Sequence, residues 1–310
     1  MPKERIIGKL HGKKKGPMLI VIGGMHGNER AGVTAIENIF DSLKKEAKMN
    51  KAFELHGTIF GLRGNRLALA KSQRYIKKDL NRQWEELNIH RIFNSPNEKL
   101  DEEDKEVKEL LTTITNEIIR EKPKQILFLD LHTTSADGGV FSIVDDNPES
   151  TRIAMGFDAP IIKGLFQIFK GTTLNFFAGR NLGIPTTAIA FEAGQHEDPD
   201  SVTRSEAAIM HMLFVSGTLK QRLNGYQHVM TGQHTSHIAE ITYTHHIVPV
   251  DNFYMKAGYK NFQYLTEGEV IAFDKTGEIK APYDCQILMP LYQKQGSDGF
   301  FLIKEIPTKS

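Results

Sequence analysis

The sequence has a single cysteine, Cys285, among 310 residues. An internal disulfide is thereby excluded, as is a cysteine-based structural zinc site, which needs two or more thiolates. Cys285 reads as a partly buried small hydrophobe rather than a nucleophile. Long apolar runs are also missing. The run at residues 18–22 is far too short to span a bilayer or to form a signal-peptide core. No membrane partner is expected, and the cytoplasm is the expected compartment. Charge of one sign is scarce too: the formal net charge is +1, so the dense basic face that nucleic acid demands is not expected. Lys13, Lys14 and Lys15 stand between Gly12 and Gly16 and read as a solvated turn. Internal repeats and low-complexity segments are absent.

What is present is an ordinary globular composition, 40% hydrophobic and 25% charged, able to bury a sizeable core. Residues 18–22 form a short β-branched run closed by Gly23-Gly24, the pattern of a strand buried on both faces. Val33, Ile36, Phe40 and Leu43 then recur at helical spacing. Residues 57–62 read as a second strand, and residues 63–84 as a long functional loop with short helical pieces. Residues 98–122 carry the clearest helix, with the stripe Leu100, Val107, Leu111, Ile114 and Ile118. Acids fill its first turns, Arg120 and Lys122 close it, and Pro123 stops it, an order that suits the helix dipole. Residues 125–132 and 186–191 read as further buried strands, followed by a helix over 201–219.

Strands alternating with helices predict an α/β/α sandwich on a mixed, mainly parallel sheet over residues 1–224. Beyond that point the runs at 238–250, 270–273, 285–289 and 300–303 are short and separated by turn signals. They predict a small all-β C-terminal domain over residues 225–310.

The chemistry is expected where strands end. Gly23-Gly-Met-His26-Gly-Asn-Glu29 offers a histidine and a carboxylate just beyond a buried strand, in a loop that Gly24 and Gly27 allow to turn tightly. His132 stands just past another strand. In an open α/β sheet the carboxyl ends of parallel strands line one edge and sites gather there. Topology thus brings His26, Glu29 and His132 to one rim, as three protein ligands for a catalytic zinc. Asp130, two residues earlier on the same face, either orients a ligand imidazole, forms an ion pair at the edge of the core or hydrogen-bonds to backbone.

Phe191-Glu192-Ala-Gly194 places a carboxylate at the end of a further apolar strand. Burial there would raise its pKa and suit general acid/base work; the alternative is an acid at a helix N-terminus or in an ion pair. Arg74, Asn81, Arg82 and Arg180 fall in loops of the same region, and arginine's planar fork suits a small anionic substrate, although each arginine taken alone also fits a surface position.

Four motifs in order, Gly23-Gly-Met-His-Gly-Asn-Glu29, Asp79-Leu-Asn-Arg82, Asp130-Leu-His-Thr133 and Phe191-Glu-Ala-Gly194, resemble the succinylglutamate desuccinylase/aspartoacylase group of zinc-carboxypeptidase-like hydrolases. The resemblance spans most of residues 1–220. It implies one zinc ion on His26, Glu29 and His132, and a catalytic carboxylate at Glu192. It further implies that Arg74 helps polarise the scissile carbonyl and that Asn81 and Arg82 contact the substrate. Arg180 resembles, more loosely, an arginine that binds a substrate carboxylate. Tyr292 resembles a tyrosine that the C-terminal domain sends into the pocket it caps.

The activity so implied is hydrolysis of a small N-acyl amino acid by an activated water, with Glu192 as general base. Two rivals stand beside it, a metallocarboxypeptidase acting on peptides and a catalytically silent binding protein of the same fold. A homo-oligomer is compatible with the sequence. His234, His237, His245 and His246 read as strand and loop histidines, since adjacent strand residues point to opposite faces. His196, four residues past Glu192, is expected at the surface, the alternative being an approach to the active site from its loop.

Overall fold

A computed structural model of the chain describes residues 2–179, 181–221, 223, 226 and 237–307. Its strands are β1 (Ile6–His11), β2 (Lys14–Gly23), β3 (His56–Arg63), β4 (Ile126–Thr134), β5 (Val140–Val144), β6 (Ile161–Lys163), β7 (Thr186–Gln195) and β8 (Ile238–His246), followed by β9 (Tyr254–Met255), β10 (Tyr264–Leu265), β11 (Val270–Asp274), β12 (Gly277–Lys280), β13 (Cys285–Leu288) and β14 (Asp298–Glu305). The helices are α1 (Ala31–Met49), α2 (Arg66–Lys71), α3 (Glu86–Asn94), α4 (Glu102–Glu121), α5 (Pro148–Ala154), α6 (Leu165–Ile168), α7 (Thr173–Ala178) and α8 (Asp200–Val215).

The main sheet runs β1-β3-β2-β4-β7-β5-β6-β8-β14-β13-β10. β3, β2, β4 and β7 are mutually parallel, so their carboxyl ends share one edge. β5 enters antiparallel to β7, which makes the sheet mixed. The alternation of side chains sorts the apolar strands into two cores. Met18, Ile20, Ile22, Ile126 and Phe128 pack beneath Val107, Leu110 and Ile114 of α4 and Phe177 of α7. Leu19, Val21, Leu127, Leu129 and Ile189 pack beneath Ile36, Ile39 and Phe40 of α1 and Ile209 and Leu213 of α8. This is the expected α/β/α arrangement.

β1, β5 and β6 are additions to the sequence reading. They are short or interrupted by glycine and polar residues, so their periodicity is weak. The lysine run is a correction: only Gly12 and Lys13 form the turn, while Lys14 and Lys15 open β2 with exposed side chains. Of the C-terminal strands, β8, β14, β13 and β10 join the main sheet. β8 pairs in parallel with β6, and β14, β13 and β10 continue outward antiparallel. β12-β11-β9 forms a separate small antiparallel sheet over a third core that holds Cys285, Ile287, Phe300 and Leu302. Cys285 is fully buried there rather than partly. Residues 224 and 225, the expected boundary, lie outside the described residues. Among the described residues no helix is long and apolar enough to cross a membrane.

Candidate active site

The loop after β2 begins with Gly24 at φ +73°, a left-handed turn that glycine adopts freely. Gly27 then lies against the α2 backbone, where a Cβ would meet the Ala68 carbonyl carbon at 2.0 Å. The Gly27 N–H donates to the Arg74 carbonyl at 3.1 Å, tying this loop to the one that carries Arg74. His26 and Glu29 are thereby fixed beside the end of β4. The register of β4 and β7 pairs His132 with Glu192, which brings the base candidate to the same rim.

Glu29 sits between the two histidines. His26 Nδ1 lies 2.8 Å from its Oε1 and His132 Nδ1 lies 2.9 Å from its Oε2. The outer nitrogens face other carboxylates: His26 Nε2 is 3.1 Å from Asp79 Oδ1, and His132 Nε2 is 3.2 Å from Asp130 Oδ2. Asp130 therefore takes the orienting position that the sequence left open. The ligand atoms of His26, Glu29 and His132 lie within 4.8 Å of one another, and all three residues are buried.

This donor set fits a zinc ion on chemical grounds. Two imidazoles converge on one carboxylate, and each has its outer nitrogen held by a second carboxylate, the arrangement that fixes ligand histidines in metal sites. Buried Glu29 and Asp130, with the largely buried Asp79, also concentrate negative charge that a divalent cation would offset. Burial alone would raise the Glu29 carboxyl, but His26 and His132 outweigh it and hold it well below the usual range. Burial alone would lower the His132 imidazole, but Asp130 and Glu29 hold it well above its usual value.

Arg74 donates from Nε and Nη2 to Asp79 Oδ2, at 3.3 and 3.0 Å, and its Nη1 lies 3.7 Å from Glu29 Oε1. Glu192 is buried with Oε2 lacking any hydrogen-bond partner. Burial pushes this carboxyl up to about 7, helped by the Glu29 charge and opposed by His132, His26 and Arg74. These groups line an open cleft of about 890 Å³ together with Asn81, Arg82 and Asp298. The cleft is closed on one side by Met289, Leu291, Gln293 and Phe301 from the C-terminal β region.

Asn81 is held by Thr173, whose backbone N–H donates to Asn81 Oδ1 at 2.9 Å and whose hydroxyl meets Asp130 Oδ2. The expectation for Tyr292 is corrected. Its hydroxyl donates to the Lys256 carbonyl and accepts from the Tyr259 N–H, both at 2.9 Å, so the phenol is spent inside the C-terminal region and its neighbours line the cleft instead. Arg180 lies outside the described residues.

His196 is a second correction. It is half-buried, with Nδ1 2.8 Å from Thr133 Oγ1 and Nε2 3.3 Å from Asn28 Nδ2. Burial lowers its pKa. His234 also lies outside the described residues; His245 stacks on Phe300 and His246 Nδ1 lies 2.6 Å from Asp298 Oδ1.

The model of the succinylglutamate desuccinylase/aspartoacylase catalytic domain matches residues 15–213. The chain belongs to this family. No curated protein sequence matches it. Among solved structures, a succinylglutamate desuccinylase from Vibrio cholerae superposes with a TM-score of 0.67 at 14% identity, over 96% of this chain and 84% of that one. A succinylglutamate desuccinylase/aspartoacylase from Rhodobacter sphaeroides gives 0.65 at 14%, over 95% and 86%. The ectoine utilization protein EutE (DoeB) from Ruegeria pomeroyi, solved with product bound, gives 0.64 at 15%, over 95% and 87%. The likeness therefore extends through the C-terminal β region, beyond the matched catalytic domain.

Proposed function

We propose that this family member is a cytoplasmic zinc-dependent amidohydrolase of small N-acyl amino acids, with one zinc ion held by His26, Glu29 and His132. The observation that carries the reading is the shared rim. Three convergent donors, a guanidinium and a buried carboxyl with one unpartnered oxygen all open into one cleft. The chemistry the ion supplies when bound is polarisation of a carbonyl and activation of water at neutral pH.

The chain's own residues do the rest. Glu192, whose burial makes its carboxyl a ready proton acceptor near neutrality, takes the proton of the attacking water and returns it to the leaving amine. Arg74, held in place by Asp79, donates to the oxyanion that develops on the carbonyl oxygen. Asn81 and Arg82 line the cleft as receptors for the substrate carboxylate. The wall contributed by residues 289–301 narrows the cleft, which favours free acyl amino acids over long peptides.

A screen of acetyl-, formyl- and succinyl-amino acids against short peptides, with zinc present and then chelated, tests the reading. Hydrolysis of free acyl amino acids that stops on chelation is expected. Peptide hydrolysis alone would make the chain a carboxypeptidase, and no hydrolysis with zinc bound would make it a binding protein. Metal analysis should find one zinc per chain, lost in His132→Ala and retained in Glu192→Ala.

A further inference from the structure

Part of the cleft lining is apolar: Ile143, Leu165, Phe166, Phe169, Leu174 and Phe301 contribute to it. Phe169 packs edge-on against Phe301, with ring centroids 5.2 Å apart. The Arg82 guanidinium lies over the Phe169 ring, with Cζ 4.2 Å from its centroid. One end of that guanidinium faces a carboxylate of the protein itself: Arg82 Nη2 is 3.4 Å from Asp298 Oδ2. Asp298 opens β14 opposite His246 of β8, and His246 Nδ1 holds its other oxygen at 2.6 Å. It is therefore anchored by the sheet.

Arg74 is equally committed, to Asp79 and Glu29. Among the described residues of the cleft, Arg74 and Arg82 are the only arginines and no lysine is present, against four carboxylates: Glu29, Asp130, Glu192 and Asp298. One substrate carboxylate can share Arg82. Among the described residues a second would have to draw Arg82 away from Asp298, which keeps His246 and Ser297, or settle for neutral donors such as Ser135, Gln293 and Ser297, and neither matches a second guanidinium. An alkyl or aryl group would instead cover the wall and shed water from both surfaces.

We propose that the cleft selects a monocarboxylic acyl amino acid carrying one sizeable apolar group, and that Asp298 together with the Phe169 wall discriminates against dicarboxylic substrates. This rests on the deacylase reading above and narrows its substrate. The apolar group is either the acyl chain or the amino-acid side chain, and two matched pairs separate these sources. N-hexanoyl-glycine against N-succinyl-glycine probes the acyl side; N-acetyl-leucine against N-acetyl-aspartate probes the amino-acid side.

For the zinc-loaded protein, kcat/KM for the apolar member should exceed that of its acidic partner by at least about 10-fold in one pair, the range a shaped apolar pocket delivers. Asp298→Asn, which keeps the shape and removes the charge, should narrow that gap at least several-fold by freeing Arg82. Preference for the acidic member in both pairs, equal rates in both, or a gap unmoved by Asp298→Asn overturns the proposal.

Calorimetric binding of hexanoate against succinate, and leucine against aspartate, gives a readout independent of turnover. Tighter binding of an apolar product without hydrolysis of any conjugate would keep the selectivity and refute the deacylase reading. Hydrolysis with acidic preference would do the reverse. No hydrolysis with tighter acidic binding, or with no binding at all, would refute both.

Discussion

Glu192→Gln should abolish turnover and, in the zinc-free protein, raise stability at alkaline pH. The carboxyl is buried with one oxygen unpartnered, and burial lifts it from its ordinary 4.5 to about 7. A group whose folded pKa is raised stabilises the fold fully below its unfolded value, and that contribution is lost as pH rises through the folded value. Here the loss falls between about pH 4.5 and 7. At about 1.4 kcal/mol for each pH unit, forcing the ionised carboxylate into this site at pH 8 costs about 3 kcal/mol.

Glutamine mimics the protonated form and avoids that cost. Urea unfolding of chelated wild type and Glu192→Gln should agree within about 1 kcal/mol at pH 5 and differ by about 3 kcal/mol at pH 8, the variant being more stable. With a urea dependence near 3 kcal/mol per M, the midpoints separate by about 1 M. Zinc on His26, Glu29 and His132 adds positive charge nearby, favours the ionised carboxyl and moves the separation to lower pH. Parallel curves from pH 5 to 8 in the chelated protein would show that Glu192 is not held in its acid form by burial, and the reasoning would fall.

Three further perturbations read other parts of the structure. Gly27→Ala drives a methyl group into the Ala68 backbone, so the loop carrying His26 and Glu29 must shift; at least a 10-fold loss of zinc affinity is expected in a chelator competition, and unchanged affinity would show that the close approach is not needed. Glu103 is fully buried and accepts from the backbone N–H groups of Ile76 and Lys77, at 2.8 and 3.0 Å, and from Asn65 Nδ2 at 3.0 Å. Glu103→Ala leaves these donors unpaired at about 1–3 kcal/mol each. It should therefore loosen the segment holding Arg74 and Asp79, visible as faster amide exchange over residues 74–82; unchanged exchange there would refute the link. Arg5 is buried against Glu106 and the carbonyls of Arg63 and Gly64, and Arg5→Met should cost about 3–5 kcal/mol in chemical denaturation by leaving a buried carboxylate short of its partner; a change below about 1 kcal/mol would count against that pairing.

The apolar runs before Gly23 and His132, and the one through Phe191, settled the parallel core of the sheet from sequence alone, because a strand buried on both faces must be continuously hydrophobic. Once those strands were parallel, their carboxyl ends had to share an edge. Residues just beyond them, His26, Glu29 and His132, are thereby neighbours, while the choice of Glu192 as the base rests mainly on the family resemblance of its motif. Local sequence also marked α4, through its stripe and its ordered charges.

What decided the rest was distance along the chain. Asp298 reaches Arg82 across 216 residues, and no local pattern announces such a pair. The role of Glu103, on a helix, in tying down residues 76–78 on a loop is equally invisible, since a carboxylate in a helix's first turn looks like a partner for the helix dipole. His196 stands in a loop that by sequence suits the surface; contacts with Thr133 and Asn28, both distant in the chain, leave it half-buried. Tyr292 matched a family position by sequence, but local hydrogen bonds to Lys256 and Tyr259 claimed its hydroxyl. The sequence thus set the rim and its metal-ligand candidates through local periodicity. Tertiary packing alone set the apolar wall of the cleft and the carboxylate beside Arg82, because those contacts join segments far apart in the chain, Phe169 to Phe301 and Arg82 to Asp298.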